Sequence, residues 1–340
     1  MRTLADLSSA GPNCSTPAIK TELFMKLVLS KVFISLLISI AFVSTANSQR
    51  PPKFSDWAPV THLPPPINSP FDDQAPVLSK DEKTLFFTSN RPGSFGGSED
   101  IWISTRKTKN SPWSTPENLG VLNTPSIERL RSLTPDGRVM LFMSDRPGSN
   151  GQTDIWATSR KNTSDNFAWS VPVNLGPNIN SESSELAAKY LFPDGGRTPK
   201  LLFSSSRPGG FGGPDIYESS IGPDGLFQPA VNLYELNSPS VETCFWVRDD
   251  GLELIFISNR PELTGDLSQN DVWVATRDSL DESWNAPVKL GPNVNAEGYQ
   301  DVNPSLSFDG QTMLLASRRP GGIGPGTFDI YMTTRRRKND

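Results

Sequence analysis

A single histidine among 340 residues removes a large part of enzyme chemistry from consideration. With only His62, there is no imidazole-rich zinc or copper site, and the usual triads built on a histidine base are excluded. Cysteine is almost as scarce. Cys14 falls in a segment read below as removed, which leaves Cys244 alone and rules out an internal disulfide or a thiolate metal cluster. Lying between Thr243 and Phe245 in a strand-like run, Cys244 is expected to be buried and inert. Basic charge is also short: 32 Lys and Arg against 37 Asp and Glu, net −5. An acidic balance argues against nucleic acid or an anionic membrane as partner. No apolar run reaches the roughly 20 residues needed to span a bilayer. The glycine-rich stretches Gly209–Gly213 and Gly321–Gly324 are followed by no Gly-Lys-Ser/Thr and no helix signal, so they are connections rather than phosphate loops. No cofactor and no metal is expected.

The one apolar stretch, Val32–Val43, follows Met25, Lys26 and Lys31 and precedes the small residues Ala46-Asn47-Ser48. That order reads as a signal peptide over 25–48, with 1–24 an unstructured extension and Met25 a candidate true start. Export to the periplasm or the medium is the expectation, with no transmembrane segment in the mature chain. Its oligomeric state is not legible. Removal of 1–48 would leave 28 basic and 35 acidic side chains, net −7.

What the sequence has in abundance is repetition. Ser-x-Arg-Pro occurs five times, at Arg91, Arg146, Arg207, Arg260 and Arg319, spaced 55, 61, 53 and 59 residues apart. After each comes an Asp, Ile or Val, aromatic triplet opening at Asp100, Asp154, Asp215, Asp271 and Asp329. Repetition at this period, built from strand signals, means a repeat architecture. The second copy shows the unit. Ile127–Leu133 alternates as a strand. Thr134-Pro135-Asp136-Gly137 carries turn chemistry, and Val139–Met143 is a continuous apolar strand. Asp154–Ser159 follows as a third strand and Trp169–Leu175, with a proline suited to an edge, as a fourth. Four antiparallel strands per repeat make a propeller blade. The last repeat stops after its third strand, and Trp57–Leu63 supplies the missing fourth. The expected fold is all-β: a single five-bladed β-propeller over 49–335, closed by the N-terminal strand in the last blade, with a basic tail over 336–340.

The run Thr-Pro-Asp-Gly, apolar strand, Ser-x-Arg-Pro, Asp-Ile-Trp/Tyr resembles the PD40 or WD40-like propeller repeat of bacterial exported proteins, whose best-known relative is the TolB propeller. The resemblance covers about Trp57 to Arg335. TolB-like propellers have six blades and a further N-terminal domain, so their role in an envelope complex is not carried over. What the family implies is an exported, non-catalytic propeller that binds a protein or glycan partner as a module of the cell envelope.

Two rings of residues map to the face where first strands begin. One is acidic, Asp73, Glu128, Glu185, Glu242 and Asp301, with an extra residue in the repeat of Glu185. The other is the five arginines. Each arginine is expected to pair either with an acid of the first ring or with the Asp opening the next strand, a structural role suited to five fixed donors. The sharper reading is a carboxylate cluster at the channel mouth that binds a cation, a basic group or a sugar. Phe95, Phe211 and Tyr299 stand in loops of the same face as candidate contacts, as do the departures from the repeat at 262–270 and 296–300. The alternative function is a glycan-active, glycosidase-like propeller. Glycoside hydrolysis needs two acids about 5–10 Å apart, and Glu128 with Glu242 is one candidate pair.

Overall fold

The computed structural model describes residues 53–192, 197–261 and 270–338. The segments 1–24 and 25–48, the turn at Pro193-Asp194-Gly195, most of the 262–270 loop and the last two residues of the tail lie outside them. Among the described residues, the twenty strands belong to one compact unit.

A two-residue strand, β1 (Thr61–His62), comes first. Blade one is β2 (Asp73–Leu78), β3 (Thr84–Ser89), β4 (Asp100–Thr105) and β5 (Glu117–Asn118). Blade two is β6 (Glu128–Leu133), β7 (Val139–Ser144), β8 (Asp154–Ser159) and β9 (Val173–Asn174). Blade three is β10 (Glu185–Leu191), β11 (Lys200–Ser205), β12 (Asp215–Ser220) and β13 (Val231–Asn232). Blade four is β14 (Glu242–Val247), β15 (Glu253–Ser258), β16 (Asp271–Thr276) and β17 (Val288–Lys289). β18 (Asp301–Leu306), β19 (Thr312–Ser317) and β20 (Asp329–Thr334) form blade five, and β1 completes it antiparallel to β20, Thr61 opposite Met332. The expected five-bladed propeller with N-terminal closure is the observed fold.

The second strands are the core. Every residue of β7 and β15 is buried, since both faces of a middle strand meet neighbouring blades. The hairpin turns follow their composition. Thr134 Oγ1 donates to Asp136 Oδ1 (2.6 Å), Val139 N–H donates back to Thr134 Oγ1 (3.0 Å), and Gly137 takes φ +69°. Fourth strands are only two residues long. The tryptophans expected within them instead sit before them, Trp113, Trp169 and Trp284 each under an arginine at 4.2, 4.5 and 4.3 Å.

The first strands are not regular. In each one the register slips, for instance between Gln74 and Val77, Leu130 and Ser132, and Val302 and Ser305. Ala75, Cys244 and Asn303 take positive φ at these bulges. A bulge re-aims side chains, and here the re-aimed residues line the central channel. Cys244 is among them. It is partly exposed on the channel wall rather than buried, which corrects the sequence expectation.

Candidate functional site

Each ring carboxylate opens a first strand and is fully buried. Of the two pairings open to the arginines, the structure shows the one with the ring acid: Arg91–Asp73 at 2.5 Å, Arg146–Glu128 at 3.0 Å, Arg207–Glu185 at 3.4 Å, Arg260–Glu242 at 3.0 Å, and Arg319–Asp301. The motif serine explains the spacing. Ser144, last in β7, accepts from both the backbone N–H and the Nε of Arg146, which turns the guanidinium back toward Glu128. The same guanidinium donates to Leu122 O and lies over the rings of Phe142 and Trp156 at 4.8 and 5.3 Å. Thr124 and Ser144 hydroxyls complete the shell of Glu128.

Burial pushes the carboxyls of Asp73, Glu128 and Glu185 above their ordinary range, against the lowering pull of hydroxyl and arginine partners. The ring is therefore five sealed, separately satisfied pairs. Glu128 and Glu242 present no surface to a substrate.

The aspartates of the third strands tie down the glycine-rich loops. Asp100, Asp154 and Asp215 accept backbone N–H groups of Phe95, Asn150 and Phe211, and side-chain donors from Asn118, Asn174 and Asn232 at 2.6 to 2.8 Å. In blade four Lys289 takes the asparagine's place at Asp271, and in blade five His62 does so, its Nε2 lying 2.6 Å from Asp329. His62 is thus the closing strand's contact to the third strand of blade five.

Phe95, Phe211 and Tyr299 are 45%, 50% and 39% exposed. Phe71 and Tyr234 are exposed on the same face, and Tyr234 meets Phe211 edge-on at 5.5 Å.

The element the repeat reading missed is a set of residues that breaks the fivefold pattern. Glu99, immediately before β4, pairs with Arg129 at 2.5 Å and accepts from Gln74 Nε2 at 2.8 Å. Gln74 Oε1 accepts from Asn303 Nδ2 (3.1 Å), and Asn303 Oδ1 accepts from Arg131 Nη1 (3.0 Å). This chain runs from the mouth into the channel across blades one, two and five. Glu99 and Arg129 keep 18% and 28% of their side chains exposed, so solvent reaches a carboxylate there. The signal lay in the sequence. The residue before each third-strand Asp is Glu99, Thr153, Pro214, Asn270 and Phe328, so only one is an acid. Among the described residues no group of three or more His, Cys, Asp or Glu side chains is arranged to hold a metal ion.

No protein-family model and no curated protein sequence matches the chain. Solved structures do match in fold. An α-L-arabinofuranosidase from Podospora anserina in complex with cellotriose superposes with TM-score 0.51 at 11% identity, over 84% of this chain and 98% of that one. An α-L-arabinofuranosidase from Lactobacillus brevis gives 0.51 at 14%, over 81% and 93%. A putative TolB from Agrobacterium tumefaciens reaches 0.44 at 14%, over 85% and 100%. At these identities the likeness is one of fold. It corrects the expectation of a non-catalytic envelope scaffold, which rested on TolB-type repeats: three structures that superpose with TM-score 0.51 are named as α-L-arabinofuranosidases.

Proposed function

We propose that this propeller is glycan-active and takes its sugar on the face where the first strands begin, at the channel mouth beside Glu99. One observation carries the reading. The mouth holds a solvent-reached carboxylate, oriented by Arg129 and Gln74, on a face bearing the exposed rings of Phe71, Phe95, Phe211, Tyr234 and Tyr299. Sugars present hydroxyl groups to planar carboxylate, guanidinium and amide groups, and present C–H faces to aromatic rings. A polar centre on a face that also bears aromatic rings suits both. The ring carboxylates are sealed, so at least one reacting acid has to come from outside the ring, and Glu99 is that acid. The fold neighbours named as arabinofuranosidases make arabinose-bearing polysaccharides the first substrates to assay.

The test is retention in polysaccharide gels and release of reducing sugar, measured on arabinoxylan, arabinan and levan for the native protein and for Glu99→Gln. We expect one glycan to be retained or cleaved, with at least a tenfold loss in the variant. Neither retention nor cleavage of any of the three, or full activity in Glu99→Gln, would overturn the reading. Kinship with PD40-type repeats and export through residues 25–48 belong to the same proposal. N-terminal sequencing of protein from envelope and medium checks the latter: a start at Gln49 supports it, and an intact 1–48 segment removes it.

A further inference from the structure

Three residues after each ring acid the first strands carry Pro76, Arg131, Ala188, Phe245 and Pro304. Arg131 is the one charged side chain of that set, and it is 92% buried in the wall of the central channel, with 8% exposed. Its partners are an amide oxygen and two sulfur atoms: Asn303 Oδ1 at 3.0 Å and Cys244 Sγ at 3.8 Å from Nη1, and Met143 Sδ at 2.8 Å from Nη2. Its Nε–H has no partner. Among the described residues no carboxylate lies within ion-pairing distance of it, in contrast to the five ring arginines. Burial pulls the guanidinium down only to about 10, so it is a cation at neutral pH. An uncompensated buried charge is among the most unfavourable features a fold can carry.

Beside it lies a small cavity of about 20 Å³, bordered by Ala75, Leu130, Cys244, Asn303 and Ser305. One water needs roughly 10–15 Å³, so a water or a single small ion fits. A water would satisfy the Nε–H and leave the charge standing. The lining contributes no acid. We propose that this cavity seats a small monovalent anion of the halide class, held by the Arg131 guanidinium, as the counter-charge of the channel. The site lies inside the channel and engages none of the exposed rings; Asn303 and Gln74 link Arg131 to Glu99, so the test below reads anion binding directly and not sugar binding.

Two measurements on the native protein test it without relying on a variant. Thermal unfolding is followed at constant ionic strength while sodium chloride replaces sodium gluconate; we expect Tm to climb and saturate with chloride, as binding to the native state alone requires. Crystals soaked in bromide are expected to show an anomalous peak in the channel beside Arg131. Arg131→Gln is then expected to remove the chloride dependence. A Tm indifferent to the anion, or no bromide at Arg131, overturns the proposal. So does rapid alkylation of Cys244 at neutral pH that is unaffected by chloride and lost in Arg131→Gln, because the thiolate would then be the counter-charge.

Discussion

At Glu128 a carboxylate with no exposed surface is held by two hydroxyls, a backbone N–H and one guanidinium, yet its pKa still lies above the ordinary carboxylate range because burial outweighs them. Removing either partner therefore has unequal effects. Arg146→Met leaves the acid buried without its counter-charge and is expected to lower stability by about 3–5 kcal/mol, read by urea denaturation. Glu128→Gln keeps a polar side chain among Thr124 and Ser144 and is expected to lose less than half as much. The raised pKa values also fix a pH dependence. Asp73, Glu128 and Glu185 hold their protons more tightly folded than unfolded, so the native state binds more protons. Their contribution is complete below the ordinary values of 3.8 and 4.5 and is lost as pH rises through the folded values. Tm of the native protein is expected to rise as pH is lowered from neutral toward that window. The slope is expected to be shallower in Glu128→Gln, and equal slopes would show that Glu128 is not one of the groups responsible.

At the scale of the strand, the same device is built from different residues around the ring. Asn118, Asn174 and Asn232 bind the third-strand aspartate in blades one to three, and His62 does so where the ring closes. His62→Asn is expected to be tolerated, since three blades already use that side chain, while His62→Leu strands Asp329 and is expected to lower stability by about 1–3 kcal/mol. A melting curve for each variant decides it. Strands, turns and closure were legible because they are written in repeated chemistry: Asp-Gly in four of the five turns between first and second strands, an apolar run in each second strand, and a terminal repeat missing its fourth strand. What was not legible follows from the same repetition. Glu99 and Arg131 matter because they occur once, and a reading that searches for recurrence passes over them. The bulges also defeat simple alternation, so neither Arg131 nor Cys244 could be assigned to the channel wall by counting along the first strand.

At the scale of the whole ring, closure joins strands some 270 residues apart, and more than β1 holds it. Trp57 and Phe54 lie under the Arg335 guanidinium at 4.3 and 3.8 Å, and Arg335 forms two bonds of 2.7 Å to Glu253, which also pairs with Arg248. Glu253 thus sits between two arginines, one following the last strand of blade five and the other on blade four, with all three side chains buried. Arg248 keeps Asp250 at 2.8 Å, but Glu253→Gln would leave the buried Arg335 guanidinium without its carboxylate, and a loss of about 3–5 kcal/mol is expected. Deleting residues 53–63 goes further, because it bares the edge of β20 and removes the rings that cover Arg335. An uncovered strand edge pairs with whatever strand it meets. Size-exclusion chromatography of the truncated chain is expected to show dimers or aggregates, and its unfolding is expected to broaden as blade five separates from the other four. A truncated chain that stays monomeric and unfolds in one sharp step would show that the other four blades hold the ring shut without the closing strand.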